Sequence, residues 1–160
     1  MRCVPASLGS VTDIRALTAG DRDAWLPLWR AYLEFYEADL SDEQTALTWH
    51  RLLDPQFPLW GALATDGEEG RAIGFVHWLT HPATWAARTY CYLEDLYVDS
   101  GARGAGAGRA LIEHVAGHAR ANGSEKVYWL THETNSTARA LYDRVAASTG
   151  FVHYEMGLES

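Results

Sequence analysis

The chain has 160 residues, a formal net charge of -8, 48% hydrophobic residues and 12% aromatic residues, with seven Trp and eight Tyr. That length fits one domain with a substantial core, and the apolar share excludes a disordered chain. The acidic balance argues against nucleic acid, whose phosphates select basic surfaces, and suits a cationic partner.

The two cysteines, Cys3 and Cys91, provide neither a disulfide framework nor metal-ligand spacing. No apolar run approaches the ~20 residues of a membrane span, and the first ten residues lack the apolar stretch of a secretory signal. The chain therefore reads as cytoplasmic, with no membrane partner.

Residues 1–10, with Pro5, Ser7, Gly9 and Ser10, read as a flexible N-terminal tail and residues 11–160 as a single domain. A first strand over 11–16 leads to a helix starting near Ala19, which Thr18 can cap and whose dipole Asp21 complements. Along it Trp25, Leu28, Trp29, Tyr32 and Tyr36 recur at helical spacing. With Leu26, Leu33 and Phe35 the apolar sector covers about half the circumference, more than a surface helix needs. Core packing is the ordinary fate of such rings. The surplus makes Trp29, Tyr32 and Tyr36 candidates to line a substrate cleft.

Ser41 with Gln44 resembles a capping box and opens a second helix to about Asp54, ended by Pro55 and Pro58. Two strands over 59–65 and 72–80, joined by the turn 66–70, form a hairpin. A fourth strand over 87–98 alternates imperfectly: Tyr92, Glu94, Leu96 and Val98 share one face and Leu93, Asp95, Tyr97 and Asp99 the other, so neither is purely apolar. A bulge near Leu96 resolves the conflict. A third helix over 106–122 buries Leu111, Ile112, Val115 and Ala119. A fifth strand over 126–131, a fourth helix over 135–148 and a last strand over 151–158 complete a mixed α/β fold.

Between the fourth strand and the third helix runs Arg103-Gly104-Ala105-Gly106-Ala107-Gly108-Arg109. Alternating glycines let the backbone approach an anion, and the unpaired N–H groups and positive dipole of the following helix point at the same spot. The ordinary alternative is a plain Gly/Ala connection. A dinucleotide fingerprint fails, because the third small residue it requires falls on Arg109 or Leu111. A Walker loop fails too, since the chain has no Gly-Lys pair.

What remains, Arg-x-x-Gly-x-Gly after Leu93-Glu94-Asp95-Leu96-Tyr97-Val98, resembles the coenzyme A signature of the GNAT superfamily of N-acetyltransferases. The downstream segment Trp129-Leu130-Thr131-His132-Glu133-Thr134-Asn135, continuing through Ala138-Arg139-Ala140-Leu141-Tyr142, is similar to that family's fifth strand and following helix. The wording is closest to the branch acting on polyamines, histone tails and other small amines. The resemblance implies a mostly antiparallel central sheet flanked by about four helices. It implies acetyl-CoA as cofactor, held by the backbone of Leu96, Tyr97 and Val98, by Arg103, Gly104, Ala105, Gly106, Ala107, Gly108 and Arg109, and by Asn135, Arg139 and Tyr142. A homodimer is part of the same expectation.

Acetyl transfer to an amine requires a neutral nitrogen, and an alkyl ammonium has a reference pKa of about 10.4. Glu94 and Asp95 are adjacent on a strand and face opposite ways, so one enters the cleft. The resemblance favours Glu94 as the base, acting through a water, against the alternative of a structural carboxylate paired with an arginine. The oxyanion falls to the Leu96 N–H freed by the expected bulge. Tyr142 is the candidate donor to the departing sulfur, and Asn135, Arg139 and Tyr142 share a helix face by their spacing. Trp78 beside His77 is a candidate for the substrate mouth, and His132 for proton transfer or loop capping. His114 and His118 have zinc-helix spacing without the accompanying Glu and read as a solvated face; no metal is expected. The leading function is N-acetylation of a polyamine, small amine, amino acid or Lys-rich protein tail. An acyl-CoA-sensing module without catalysis, or an interaction domain with a vestigial loop, are the alternatives.

Overall fold

The computed structural model describes residues 12–67 and 69–158, so the expected tail over 1–10 lies outside the described residues. These form two compact units, divided between Leu130 and Thr131. The first contains β1 (Thr12–Ala16), α1 (Arg22–Phe35), α2 (Asp42–Leu53), β2 (Leu59–Asp66), β3 (Ala72–Pro82), β4 (Thr89–Val98), α3 (Ala107–Ala121) and β5 (Val127–Tyr128); the second contains α4 (Ser136–Val145). The sheet runs in the order β1-β2-β3-β4-β5, antiparallel throughout except for the parallel β4/β5 pair. No helix among the described residues is long and apolar enough to cross a membrane.

Local chemistry sets the helix starts. Ser41 accepts the Gln44 N–H at 3.1 Å, as the capping pattern predicts. The first helix begins later than its periodicity suggests, because a single 3-10 turn over Ala19–Asp21 precedes it. Asp21 fixes that turn, receiving both Arg15 guanidinium nitrogens at 2.7 and 2.6 Å, the Thr18 N–H at 2.8 Å and the Thr18 hydroxyl at 2.7 Å.

These donors, Arg15 first, hold the Asp21 carboxyl well below the usual carboxylate range. Its contribution to stability is thus present above the ordinary Asp value and lost as pH falls below it. Asp21→Asn is expected to cost about 2 kcal/mol at pH 7, or roughly 4–8 °C in a chain of this size. Circular dichroism melts at pH 7 and pH 3 check this, and the gap from the parent protein should narrow at the lower pH.

The sheet is packed on both faces. Over β2, β3 and β4, α1 and α2 bury Trp25, Leu28, Trp29, Trp49 and Leu52 against Leu63 and Phe75. The indole stack of Trp25 on Trp29, with ring centroids 5.5 Å apart, and the tilted Trp25–Trp49 pair at 5.0 Å explain why one helix spends so many large rings inward. On the opposite face α3 buries Leu111, Ile112, Val115 and Ala119. His114 and His118 lie on this side as well, with ring centroids 5.7 and 5.1 Å from Trp78, and burial lowers both imidazole pKa values. They pack against the sheet, which corrects their reading as a solvated face.

Two expectations fail in the later chain. The fifth strand is reduced to Val127–Tyr128, paired with Cys91 and Tyr92. Residues 151–158 form no strand, and Phe151, Val152, Tyr154, Met156 and Leu158 are exposed. Their alternation is strand-like, but a strand requires a partner, and among the described residues of the second unit no other strand is present to supply one.

Candidate active site

The bulge in β4 organises the site, and it lies two residues before its expected position. His77 pairs with Asp95 and Trp78 with Leu93, leaving Glu94 as the extra residue. That insertion resolves the imperfect alternation. Tyr92, Asp95 and Tyr97 sit opposite Leu79, His77 and Phe75 on the α1 side, while Leu93, Leu96 and Val98 take the α3 side. The expected bulge at Leu96 is therefore replaced by one at Glu94.

Glu94 is exposed at this kink, and its carboxyl is pushed up, first by partial loss of solvent and then by the charge of Asp95. Asp95 is held firmly: Tyr32 donates its hydroxyl to Oδ1 at 2.6 Å, and His77 Nδ1 lies 2.9 Å from Oδ2. Burial and then the Asp95 carboxylate raise the Tyr32 phenol far above its ordinary value, so it remains a donor. Tyr36 meets the Tyr32 ring edge-on at 5.0 Å. Across β4 and β5, Tyr92 and Tyr128 face each other at 4.9 Å. Burial, with Glu94 contributing, pushes Tyr92 up to about 12 and raises Tyr128. The result is two adjacent carboxylates beside protonated phenols, an arrangement that attracts an ammonium group.

Of the expected substrate residues, Tyr32, Tyr36 and Glu94 come together here. Trp29 and Trp78 do not, since they are only 5% and 2% exposed. Trp29 belongs to the core beneath α1, and Trp78 points to the α3 side, away from His77. Asp95, His77, Tyr92 and Tyr128 escaped the sequence reading as a group, because the register that joins them is set by pairing between distant segments.

Among the described residues β4 has no strand partner beyond Tyr92 on its β5 side, so the Leu96, Tyr97 and Val98 backbone runs along a free edge. The loop then turns through Gly104 at φ +84° and Gly106 at φ +89°, with open space where either Cβ would stand. Gly106 occupies the N-cap of α3, and neither a side-chain cap nor an acidic residue blocks that terminus. An anion thus meets bare N–H groups at the positive end of a 15-residue helix. Ala107 is buried and offers only its backbone, Ala105 is exposed, and Gly108 lies in the first turn. Arg103 Nε bonds the Val98 carbonyl at 3.2 Å, tying the loop to β4, and Arg109 pairs with Glu113 at 2.8 Å.

In the second unit Asn135 caps α4, accepting the Ala138 N–H at 3.3 Å, and Arg139 Nη1 donates to the Glu133 carbonyl at 2.8 Å. Tyr142 lies on the last turns of the same helix. His132 Nδ1 accepts from the Thr134 N–H at 3.3 Å and lies 2.7 Å from its hydroxyl, the loop-capping one of its two expected roles.

The chain belongs to the acetyltransferase (GNAT) family, whose model matches residues 25–147. It is 42% identical over 142 residues to the D-amino-acid N-acetyltransferase HPA3 of Saccharomyces cerevisiae, covering 89% of this chain and 88% of that protein. It is 31% identical over 146 residues to the uncharacterized N-acetyltransferase YhfO of Bacillus subtilis, covering 89% and 95%. Its fold is that of AAC(6')-Iy, solved with a bisubstrate analog of CoA and acetylneamine, at TM-score 0.80 and 18% identity, covering 93% and 99% of the two chains. The protein is an acetyl-CoA-dependent N-acetyltransferase. The open glycine turn and uncapped helix fit the cofactor's pyrophosphate, and the free β4 edge fits its amide-bearing arm. When bound, acetyl-CoA supplies the acetyl group as an activated thioester.

Proposed function

We propose that the acceptor is the primary amine of a small molecule, an amino acid or a compact alkyl amine, and that Glu94 removes its proton. The observation carrying this reading is the pair of carboxylates at the β4 bulge, walled by Tyr32, Tyr92 and Tyr128. An acceptor ammonium is drawn to that negative pair and loses a proton to Glu94, directly or through a water. With acetyl-CoA bound, the free nitrogen would displace coenzyme A as its thiol, a C–N bond replacing the C–S bond while the proton taken by Glu94 balances the one the leaving sulfur acquires. Arg103, Gly104, Gly106 and the first turn of α3 hold the pyrophosphate end of the cofactor, the β4 edge aligns its arm, and Tyr142, with Asn135 and Arg139, serves the sulfur end. A single N-acetyltransferase domain over residues 11–160 is part of this reading, supported by a family match spanning residues 25–147.

The relative's action on D-amino acids supports an amino-acid acceptor. A carboxylate on the acceptor calls for a cation. Lys126, the chain's single lysine, lies 3.9 Å over the Tyr90 ring and 5.7 Å from the centre of the Tyr128 ring. The test is thiol release from acetyl-CoA with D- and L-amino acids, spermidine, simple alkyl amines and a Lys-rich peptide, each at ~1 mM, the upper end of ordinary KM values. D-amino acids and small amines are expected to turn over, and the peptide to lag by roughly tenfold or more, about 1.4 kcal/mol of differential binding. Turnover of the peptide alone would overturn the small-molecule assignment.

A further inference from the structure

The Asp95 carboxylate is the end of a buried chain whose proton positions can be read from the contacts. Trp25 Nε1–H lies 3.0 Å from His77 Nε2, and an indole nitrogen can only donate, so Nε2 must accept. The His77 proton therefore resides on Nδ1, which donates to Asp95 Oδ2 at 2.9 Å. Tyr32 supplies the other oxygen. A hydrogen on Nε2 would set two N–H groups against each other at Trp25, so these contacts are those of the Nδ1–H tautomer, with the Asp95 carboxylate as its acceptor. Trp25 and His77 are 0% and 1% exposed, which keeps water from relieving that conflict. Gly61 pairs with His77 across β2 and β3, and a Cβ there would press on Leu17, Leu52 and the imidazole itself. The packing thus reserves space for this ring.

We propose that Asp95 is a positioning residue for proton removal: its negative charge, fixed by Tyr32 and by the Trp25–His77 pair, stands beside Glu94 and makes that neighbour a better acceptor of the ammonium proton. The proposal rests on Glu94 being the base. The bulge places consecutive carboxylates at one kink instead of on opposite faces of a regular strand. The other titratable groups acting on Glu94 are Tyr92 from its own strand, Tyr128 from β5 and Tyr32 from α1, all acids that stay neutral near pH 7. Among the described residues no cation forms an ion pair with Glu94. After partial loss of solvent, which raises Glu94 most, Asp95 is accordingly the neighbouring charge that acts on it in the same direction.

The experiment is a carbon-13 NMR titration of the intact protein labelled at glutamate side-chain carboxyls, with the Glu94 signal assigned by its absence in Glu94→Gln. In Asp95→Asn the Glu94 midpoint is expected to fall by roughly 0.5–1 pH unit, the size of one near charge at a solvated site. In Trp25→Phe, which frees His77 Nε2 to bind a proton, it should fall in the same direction. Melting curves identify any variant that is not folded, and the remaining variant then carries the test. Kinetics separate the two readings, using the acceptor that releases thiol fastest. If Glu94→Gln keeps the acid limb of the kcat/KM profile, Glu94 is not the base. If Glu94→Gln loses that limb while folded Asp95→Asn and Trp25→Phe leave the Glu94 midpoint unmoved, the role given to Asp95 is wrong and the base assignment survives.

Discussion

Glu94→Gln is expected to lower kcat/KM for amine acetylation by roughly 10²–10³-fold at pH 7, within the range for loss of a positioned general base. The amide preserves the size of the side chain and can still accept a hydrogen bond, but it cannot take a proton. Residual activity should rise with pH as the free amine becomes more abundant, so the deficit should shrink toward the reference ammonium value of about 10.4. The stability change should run the other way. The Glu94 pKa is raised in the folded protein, so whatever Glu94 contributes is fully present below the ordinary Glu value and lost as pH rises through the raised one. At neutral pH the charged form opposes folding, and the glutamine variant should melt no lower than the parent. Thiol release and thermal melts on the same preparation check both statements. Parental kcat/KM in the variant, or a marked drop in its melting temperature, would mean that Glu94 is structural.

That opposition between activity and stability bears on what was legible in the sequence. The glycine loop could be read because its chemistry is local: Gly104 and Gly106 adopt positive φ where an alternating Gly/Ala run precedes a helix. Ser41 was legible for the same reason, since a cap and its target are three residues apart. The inward rings of α1 followed from helical spacing, but spacing alone could not say that Trp29 ends in the core while Tyr32 reaches Asp95. The sheet beneath decides that.

The bulge was only half legible. Mixed faces in residues 92–99 require an irregularity, yet its position depends on Trp78 pairing with Leu93 and His77 with Asp95, a register set by a separate strand. An irregularity at Leu96 leaves Asp95 on the face opposite Glu94, whereas the extra residue at Glu94 brings the two carboxylates to one kink. The segment 151–158 differs in the reverse sense: its local pattern suits a strand, but no partner strand exists among the described residues of its own unit.

Gly106→Val is expected to raise KM for acetyl-CoA by roughly 10–100-fold, or about 1.4–2.8 kcal/mol, with kcat at saturating cofactor little changed. Two effects combine. At φ +89° a β-branched residue is strained by about 1–2 kcal/mol, which pulls the turn away from the conformation that exposes its N–H groups. The valine side chain also projects into open space, with no atom beyond its chain neighbours within 4 Å of the Cβ position, and in the proposed reading a pyrophosphate crosses that space to reach the helix terminus. Gly106→Ala separates the two, because it carries most of the backbone strain with one methyl group of obstruction. If strain dominates, alanine and valine should raise KM alike and lower the melting temperature of the free protein alike. If obstruction dominates, alanine should be the milder in KM while the two melt together. Both variants should also lose most of the thermal shift that acetyl-CoA gives the parent, since a ligand stabilises only the folded state it binds. An unchanged KM in Gly106→Val would place the pyrophosphate elsewhere, because no anion resting on the first turn of α3 could ignore a branched side chain at its N-cap.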